Sequence, residues 1–336
     1  MKLSLTLACN VYDRTFALLT GAVAPEGIDL NVVVLEPGEL FRRQARHAEF
    51  DVAEFSVSTH TILTAQGDRR LVGLPVFLSR RFRHSDFYVS TAAGIREPHD
   101  LLGKRIGVME YQATAMVWQR GVLHHDYGVP ADQVEWVFGA YDRPGTFEER
   151  IPITLPPRFR TRVIPSTESL DGLLARGEIE ALIGTHPTRT FRAGTGQVAR
   201  LFPNYQDVEV EYYRRTGIFP LMHMAVMKRE VYERAPWIAT SLYKAFVQAK
   251  QVGYERLREV GPSVSMLPWL HQHLEESDAL LGPNPYAYGL RANRPLVEAF
   301  VQYSHAQGLI DRPLAVEDLF AAETLDTTDA AEASAH

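Results

Sequence analysis

The stretch "LSLTLACNVYDRTFALLTGAV", residues 3–23, joins an apolar run typical of a buried β-strand directly to a helical pattern. The same order follows twice more, in "IDLNVVVLEPGELFRRQARH" (28–47) and in "FDVAEFSVSTHTILTAQG" (50–67). Alternating strands and helices indicate an α/β fold, because each helix returns the chain to the same sheet. We therefore predict a mainly parallel sheet for this part of the protein.

A second series of strand-like and helical runs begins after "GIREPHDLLG", residues 94–103. It extends from "KRIGVME" through "TAMVWQRGVLHHDYG" to "SLDGLLARGEIEALIGT" and predicts a second α/β unit. From about residue 222 the pattern becomes helical. The end of the chain, residues 321–336, is rich in small, polar and acidic residues, so we expect it to be a disordered tail.

Composition narrows the class of protein. The 336 residues are 46% hydrophobic and 23% charged, which is typical of a globular protein of about two domains. The net charge of -6 argues against a nucleic-acid partner. A single cysteine, Cys9, fits a reducing compartment, and no apolar run approaches the roughly 18 residues of a membrane helix. The apolar run near the N-terminus is shorter than that of an export signal, so we expect a cytoplasmic protein without a membrane partner.

Four basic side chains lie within "SRRFRHSDFY", residues 79–88. Arginine is the preferred partner of carboxylates and phosphates, and in an extended segment Arg81 and Arg83 share a face that Arg80 does not. This cluster suggests a small anionic ligand. The alternative is that the arginines pair with carboxylates of the chain, such as Glu54, Asp86 or Glu110. His84 is either a proton donor or a hydrogen-bonded core histidine.

Three predicted strand-to-helix junctions carry polar side chains: "AEFSVST" (53–59), "MEYQAT" (109–114) and "IGTHPT" (183–188). Helix N-termini offer free N–H donors, and ligands of open α/β sheets bind beyond the carboxyl ends of the strands. Together with the arginines, the junctions predict an anion-binding cleft. The alternative is that Ser58, Thr59 and Thr114 only cap helices.

Two further stretches offer groups for acid–base chemistry. A carboxylate, a phenol, an amide and a hydroxyl lie close together in "MEYQAT" and are suited to orienting a substrate: Glu110, Tyr111, Gln112 and Thr114. His223 lies in the apolar run "TGIFPLMHMAVM", so its imidazole either has a protein partner or faces the cleft.

No cofactor is predicted. The chain has no GxGxxG, P-loop, GxSxG or CxxC motif. His271 and Glu275 are four residues apart, as metal ligands on a helix can be, but the pattern favours a surface helix. We predict no metal site, while a divalent metal held by ligands distant in sequence remains an open alternative.

The order of several stretches resembles the 4,5-dihydroxyphthalate decarboxylase family over roughly residues 2–310. The stretches are "YDRTFALLTGAVAPEGIDL", "FRRQARHAEFDVAEFSVSTH", "PVFLSRRFRHSDFYVS", "GIREPHDLLGKRIGVMEYQATAMVWQRGVLHHDYGV" and "TGIFPLMHMAVM". The resemblance implies a two-lobed α/β protein with the type 2 periplasmic-binding-protein-like fold, in which two mixed sheets are flanked by helices and a hinged cleft holds the substrate. Residues 1–88 and 218–320 would form lobe 1, and residues 89–217 lobe 2.

The resemblance also implies a non-oxidative decarboxylase that converts 4,5-dihydroxyphthalate, a small aromatic dicarboxylate, to protocatechuate. Arg81 and Arg83 would hold carboxylates. Hydrogen bonds would come from Ser56, Ser79 and Thr114, with Gln112 as a further substrate contact. The phenolic hydroxyls would meet Glu110, Tyr111 or His223, and His84 is the first choice for the proton donor.

A second set of expectations concerns substrate choice and assembly. The stretch "IGTHPTRTF" departs from the family pattern, which makes His186 a candidate substrate contact. One carboxylate is expected to lie desolvated beside Phe82 or Trp118, because a fully clamped carboxylate would not leave readily as carbon dioxide. The helical C-terminal third offers a candidate surface for a homo-oligomer through Trp237, Tyr243 and Phe246.

The fold leaves two other functions open, because function depends on the site that a fold carries. One is a non-catalytic solute-binding protein for a small carboxylate. The other is a biosynthetic enzyme that acts on a different small acid.

Overall fold

Eleven strands and eleven α-helices occur among residues 2–259, 261 and 264–329, which the computed structural model describes. The strands are β1 Leu3–Cys9, β2 Ile28–Val34, β3 Val52–Ser56, β4 Leu71–Arg80, β5 Phe87–Ser90, β6 Arg105–Val108, β7 Glu135–Phe138, β8 Arg160–Val163, β9 Ala181–Ile183, β10 Val198–Arg200 and β11 Leu221–Lys228. The helices are α1 Asp13–Leu19, α2 Pro37–His47, α3 Val57–Ala65, α4 Thr114–Tyr127, α5 Leu170–Arg176, α6 Arg189–Arg192, α7 Tyr205–Thr216, α8 Arg229–Arg234, α9 Trp237–Arg258, α10 Leu270–Leu281 and α11 Leu290–Ala306.

The first unit is built from the described residues within 1–80, 221–298 and 314–336. Its sheet has the order β2-β1-β3-β11-β4. Strand β1 runs parallel to β2 and β3, whereas β11 runs antiparallel to β3 and β4. The sheet is therefore mixed, as the family resemblance implied, and not mainly parallel. Leu7 of β1 and Leu242 and Phe246 of α9 are fully buried in its core.

Strand β11 corrects the sequence analysis, which expected helical structure from about residue 222. Its sequence is a short apolar run in which nearly every residue is buried. Periodicity alone does not separate a fully buried strand from a buried helix. The consequence matters for the site, because β11 places His223 between the ends of β3 and β4.

The pairing of β11 with β4 is irregular around His223. Register shifts separate Leu221, His223 and Ala225 on β11, so that His223 lies opposite Ser79 of β4. On its other side His223 lies opposite Ser56 of β3. Irregular pairing of this kind re-aims side chains and is frequent next to active sites.

The second unit comprises residues 81–220 and 299–313. Its sheet has the order β10-β5-β9-β6-β7-β8 and is also mixed, because β5 runs antiparallel to β9 and β10 while the other pairs are parallel. Residues 81–88 and 299–313, which the sequence analysis assigned to lobe 1, belong to this unit, as do residues 218–220. The first segment leads into β5, which is a strand of this sheet. The second segment is attached to the unit by Phe300 of α11, which packs against Trp118 of α4.

The expectation of disorder over residues 321–336 is wrong for its first part. Residues Ala322–Thr324 form a turn of 3₁₀ helix, and the Asp329 side chain is buried in an ion pair with Lys250 of α9. Composition did not reveal this, because one acidic side chain anchors a segment that otherwise has the sequence of a flexible tail. Residues 330–336 lie outside the described residues.

The expected oligomer surface also changes. Tyr243 and Phe246 are buried in the core of the first unit, so they are not available to a second copy. Trp237 is exposed.

In the part of the chain that the structure describes, every helix is too short or too polar to cross a bilayer.

Candidate active site

The first unit places a carboxylate and an imidazole in direct contact at the carboxyl end of β3. His223 Nδ1 lies 2.6 Å from Glu54 Oε1. Glu54 is completely buried, whereas His223 retains about a fifth of its side-chain exposure, with the Phe41 ring edge-on at 4.8 Å. A carboxylate at Nδ1 fixes the ring so that Nδ1 donates to it and Nε2 is left to act on a ligand. The sequence left open whether His223 has a protein partner or is exposed. In the structure it has a partner, Glu54, and is also partly exposed.

Glu54 is held by donors from three residues at the end of β1 and in the connection to α1. The Tyr12 hydroxyl donates to Oε1 at 2.7 Å, the Asn10 N–H donates to Oε2 at 3.0 Å, and the Cys9 thiol lies 3.7 Å from Oε2. Burial alone would raise the pKa of Glu54, but the hydrogen bonds and the charge of His223 outweigh it and hold the pKa below its usual value. The carboxyl group is therefore ionised at neutral pH.

The same surroundings argue against Tyr12 and Cys9 as reactive anions. Burial and then the Glu54 charge raise the pKa of the Cys9 thiol well above its usual value. Burial and Glu54 raise the pKa of the Tyr12 hydroxyl likewise. Both groups stay protonated and serve as donors to Glu54.

Two serines flank His223 across the sheet. Ser56 of β3 and Ser79 of β4 occupy the positions opposite His223 on either side. The Ser56 hydroxyl accepts a hydrogen bond from the Thr59 N–H at 3.3 Å and so caps α3, which is the role that the sequence analysis weighed for residues of this junction. Ser79 is half-buried. The structure thus brings together Ser56, Ser79 and His223, three of the predicted site residues.

Arg14 is a residue that the sequence analysis did not single out. Its guanidinium lies between two aromatic rings, 4.1 Å from the centre of the Tyr12 ring and 4.6 Å from that of Tyr286. Nε donates to the Leu78 carbonyl, and Nη1 pairs with Asp13 at 3.0 Å. A cation packed on Tyr12, the donor to Glu54, extends the polar cluster beyond the Glu54–His223 pair. No sequence signal marks it, because Tyr286 is distant along the chain.

Two of the three arginines of "SRRFRH" pair with a carboxylate of the chain itself. Arg80 belongs to the first unit and donates to the Ala287 carbonyl at 2.8 Å and to Asn293. Arg81 and Arg83 pair with the two oxygens of Asp86, at 3.2 and 3.0 Å. The alternative of internal pairing is therefore correct for Asp86. Two cations on one carboxylate still leave one positive charge, and Arg81 is about half exposed.

His84 lies in an aromatic environment within the second unit. Phe202 and Tyr212 pack edge-on against its ring at 5.3 and 5.1 Å, and its side chain is only 2% exposed. Glu209 lies 3.7 Å from Nδ1 and accepts hydrogen bonds from the backbone N–H groups of His84 and Ser85. A ring enclosed in this way is poorly placed to protonate a substrate, so the structure favours a core histidine. The hydrogen bond that this alternative expected is missing, because both ring nitrogens are buried without a hydrogen-bond partner among the described residues.

The polar groups after β6 form a second carboxylate cluster, within the second unit. Glu110 pairs with Arg150 at 2.6 Å. Glu149, which the sequence analysis missed, accepts hydrogen bonds from the Tyr111 N–H and from the Gln112 amide, both at 3.1 Å. Burial, with a contribution from Glu110, raises the pKa of Glu149 to about 7. This carboxyl group therefore exchanges protons in the physiological range.

The other predicted contacts have mixed outcomes. Tyr111 is fully buried, with its hydroxyl bonded to the Gln307 carbonyl at 3.1 Å, so it is a core residue and not a substrate contact. Gln112 and Thr114 are also buried. His186 is about half exposed, and its Nδ1 lies 3.1 Å from the Thr185 hydroxyl. Among the described residues, no three His, Cys, Asp or Glu side chains are grouped as metal ligands.

Replacing Glu149 with glutamine is expected to change how stability depends on pH. The folded state raises the pKa of Glu149 from 4.5 to about 7, so its contribution to stability is fully present below pH 4.5 and is lost as the pH rises through 7. Wild type should lose about 3 kcal/mol over this range that Glu149→Gln does not lose, because each unit of pKa difference between the folded and unfolded states corresponds to about 1.4 kcal/mol. Melting temperatures of both proteins measured from pH 4 to 8 test this. A difference that stays constant with pH would contradict the assignment.

Solved structures of other proteins share this fold. The alkanesulfonate-binding protein SsuA from Xanthomonas axonopodis pv. citri, bound to MOPS, matches with a TM-score of 0.52 and 14% identity over 96% of this chain and 97% of that chain. The desulfurization enzyme DszB matches with a TM-score of 0.51 and 17% identity over 97% of this chain and 98% of that chain. The protein therefore has the type 2 periplasmic-binding-protein-like fold, as predicted, and this fold carries both binding proteins and an enzyme.

Sequence relatives define the family. The 4,5-dihydroxyphthalate decarboxylase of Comamonas testosteroni is 38% identical over 326 residues, which is 97% of this chain and 98% of the relative. The protein of the same name from Pseudomonas putida is 40% identical over 213 residues, covering 63% of this chain and 82% of the relative. No family model matches the chain. The chain belongs to the 4,5-dihydroxyphthalate decarboxylase family, which confirms the resemblance.

Proposed function

We propose that the protein decarboxylates 4,5-dihydroxyphthalate, or a close analogue, to protocatechuate and carbon dioxide. Family membership supports the reaction, and the buried Glu54 carboxylate against the partly exposed His223 imidazole supports a way to perform it. This pair is the observation that carries the proposal, because non-oxidative loss of an aromatic carboxylate needs a proton donor and no redox partner.

The proposed step begins with protonation. His223 Nε2 donates a proton to the ring carbon that bears the departing carboxylate, and a π electron pair of the ring forms the new C–H bond. The bond from this carbon to the carboxylate then breaks, its electron pair restores the aromatic ring, and carbon dioxide leaves. A phenolic oxygen para to this carbon supplies electron density to it. His223 regains its proton from solvent before the next turnover.

Glu54 supports this step in two ways. Its ionised carboxylate stabilises positive charge on the His223 ring before the proton is transferred. Its hydrogen bond to Nδ1 also fixes the orientation of the ring. Tyr12 and the Asn10 N–H in turn hold the carboxylate, so Glu54 is a positioning residue in this scheme and His223 is the catalytic residue.

The structure moves our proposal for the proton donor from His84 to His223. Arg81 stays the proposed partner of a substrate carboxylate, because it is half exposed and belongs to a cluster with one net positive charge. Arg83 is a weaker choice since its side chain is buried against Asp86. Glu110 forms an ion pair with Arg150, so its proposed role is to hold the loop at residue 150.

A cytoplasmic location is also part of the proposal. The single cysteine is unpaired and buried, which fits a reducing compartment.

Incubation of the EDTA-treated protein with 4,5-dihydroxyphthalate tests the function directly. Carbon dioxide and protocatechuate should form in equal amounts, at a rate that EDTA does not alter. Thermal stabilisation by the diacid without release of carbon dioxide would contradict the proposal and favour a solute-binding protein.

A further inference from the structure

Arg14 of α1 has a hydrogen-bond donor that the protein leaves unused. Its Nε donates to the Leu78 carbonyl, and its Nη1 donates to Asp13 Oδ1 at 3.0 Å. Its Nη2 has no hydrogen-bond partner among the described residues, and the side chain keeps 13% of its exposure. Nη2 is also not one of the polar atoms that the protein encloses. A ligand can therefore reach this donor.

Two contacts tie the Arg14 guanidinium to the surroundings of His223, within the first unit. Nε and Nη2 form one edge of the guanidinium, and Nε is bonded to Leu78 near the end of β4. The residue after Leu78 lies opposite His223 in the sheet. The guanidinium carbon also lies 4.1 Å from the centre of the Tyr12 ring, whose hydroxyl donates to Glu54, the partner of His223. The unused donor therefore belongs to the same cluster as the proposed proton donor.

The positive charge of Arg14 is available to an anion. Its counter-charge, Asp13, is about half exposed, so solvent screens that carboxylate more than it screens the largely buried guanidinium. The guanidinium is packed between the rings of Tyr12 and Tyr286, so little conformational freedom remains to be lost when a ligand binds. A fixed guanidinium with one free donor suits a carboxylate, which accepts strong charge-assisted hydrogen bonds.

We propose that Arg14 Nη2 holds the carboxylate that 4,5-dihydroxyphthalate retains when the other carboxylate leaves as carbon dioxide. This inference rests on the proposed function. The two carboxylates are on adjacent ring carbons, so the group that holds one must lie near the acid that protonates the carbon bearing the other. A cation on the departing carboxylate would oppose its loss, whereas a cation on the retained one only orients the ring. Nη2 needs one carboxylate oxygen, which leaves the other for the role proposed for Arg81.

Binding of the product tests this inference without turnover, because protocatechuate still carries the retained carboxylate. NMR titration of the full chain with protocatechuate and with catechol, the same ring without a carboxylate, measures both affinities. Arg14→Met should weaken protocatechuate binding about 10- to 100-fold, the value of a hydrogen bond to a charged group, and change catechol binding less than about twofold. Arg256→Met should change neither affinity, since Arg256 is an exposed arginine of the same unit that also packs on an aromatic ring.

Two results would overturn the inference. One is protocatechuate binding that is absent from wild type or unchanged in Arg14→Met. The other is an equal loss of protocatechuate and catechol binding, which would show that Arg14 only maintains the structure. If Arg14→Met does not fold, Asp13→Asn decides: it removes a competing carboxylate from an exposed position and should tighten protocatechuate binding about threefold. Asp29→Asn, also exposed, is its control, and equal affinities of the two variants would contradict the inference.

Carbon dioxide release from the diacid separates this inference from the proposed function. Release by a protein whose protocatechuate binding does not depend on Arg14 would overturn the inference alone. Binding that depends on Arg14, without release from the diacid, would overturn the proposed function and leave a carboxylate site at Arg14.

Discussion

Substitution of His223 by glutamine is expected to lower kcat for carbon dioxide release by about 100- to 10,000-fold, the range that a positioned acid or base contributes. Glutamine keeps a polar group near Glu54 but has no proton to donate to carbon at neutral pH. The KM for the diacid should change much less than kcat, because the imidazole acts on the reacting carbon and does not anchor a carboxylate. Steady-state kinetics with the diacid measures both constants.

Two other histidines make this test specific. His47→Gln changes an exposed histidine of the same unit and should leave kcat unchanged. His84→Gln should lower thermal stability, because the ring is packed between Phe202 and Tyr212, while the folded protein keeps its kcat. If His84→Gln abolished turnover in a folded protein and His223→Gln did not, the proton donor would be His84 and our assignment would be wrong.

The substitution Asp329→Asn is expected to destabilise the protein by about 3–5 kcal/mol, the usual cost of breaking a buried ion pair on one side. Lys250 and Asp329 are each only 3% exposed at the side chain. The Asp329 carboxylate also accepts hydrogen bonds from the Tyr288 N–H at 3.0 Å and the Asn284 amide at 3.1 Å. The variant leaves the Lys250 ammonium buried without its counter-charge. Urea-induced unfolding followed by circular dichroism measures the loss.

The controls for Asp329 separate the ion pair from a general effect of the tail. Asp326→Asn, three residues earlier and exposed, should change the free energy of unfolding by less than about 0.5 kcal/mol. The double substitution Lys250→Met with Asp329→Leu should recover part of the stability, because it leaves no unpaired charge. Equal stabilities of Asp329→Asn and wild type would show that the pair does not hold the end of the chain.

Local patterns were sufficient for most of the fold. The strand-then-helix order of residues 3–67 correctly predicts β1 to β3 and α1 to α3, because each element carries its own periodicity. Strand β11 was missed since its buried apolar run has the same appearance as a buried helix. The anchoring of residues 321–329 was missed because it depends on Lys250, which lies far away in sequence.

The candidate site was harder to predict from the sequence, because it also depends on contacts between residues that are distant along the chain. The family resemblance implied roles for Ser56 and Ser79, and His223 was named from its apolar run. Nothing in the sequence indicated that Glu54 would contact His223 across 169 positions. The sequence did not mark Arg14 as a site residue, because the two tyrosine rings around its guanidinium, Tyr12 and Tyr286, come together only in the folded chain. The arginine cluster drew attention by its density, although Asp86, within the same ten residues, supplies its main counter-charge.

His223 is our proposed source of the proton that replaces the departing carboxylate. The most direct test is turnover of 4,5-dihydroxyphthalate in deuterium oxide by wild type and by His223→Gln, with carbon dioxide and protocatechuate measured together. Wild type is expected to release carbon dioxide and place one deuterium at the vacated ring carbon, while His223→Gln is expected to do so at least about 100-fold more slowly. Equal rates for the two proteins, or no carbon dioxide from wild type, would contradict it.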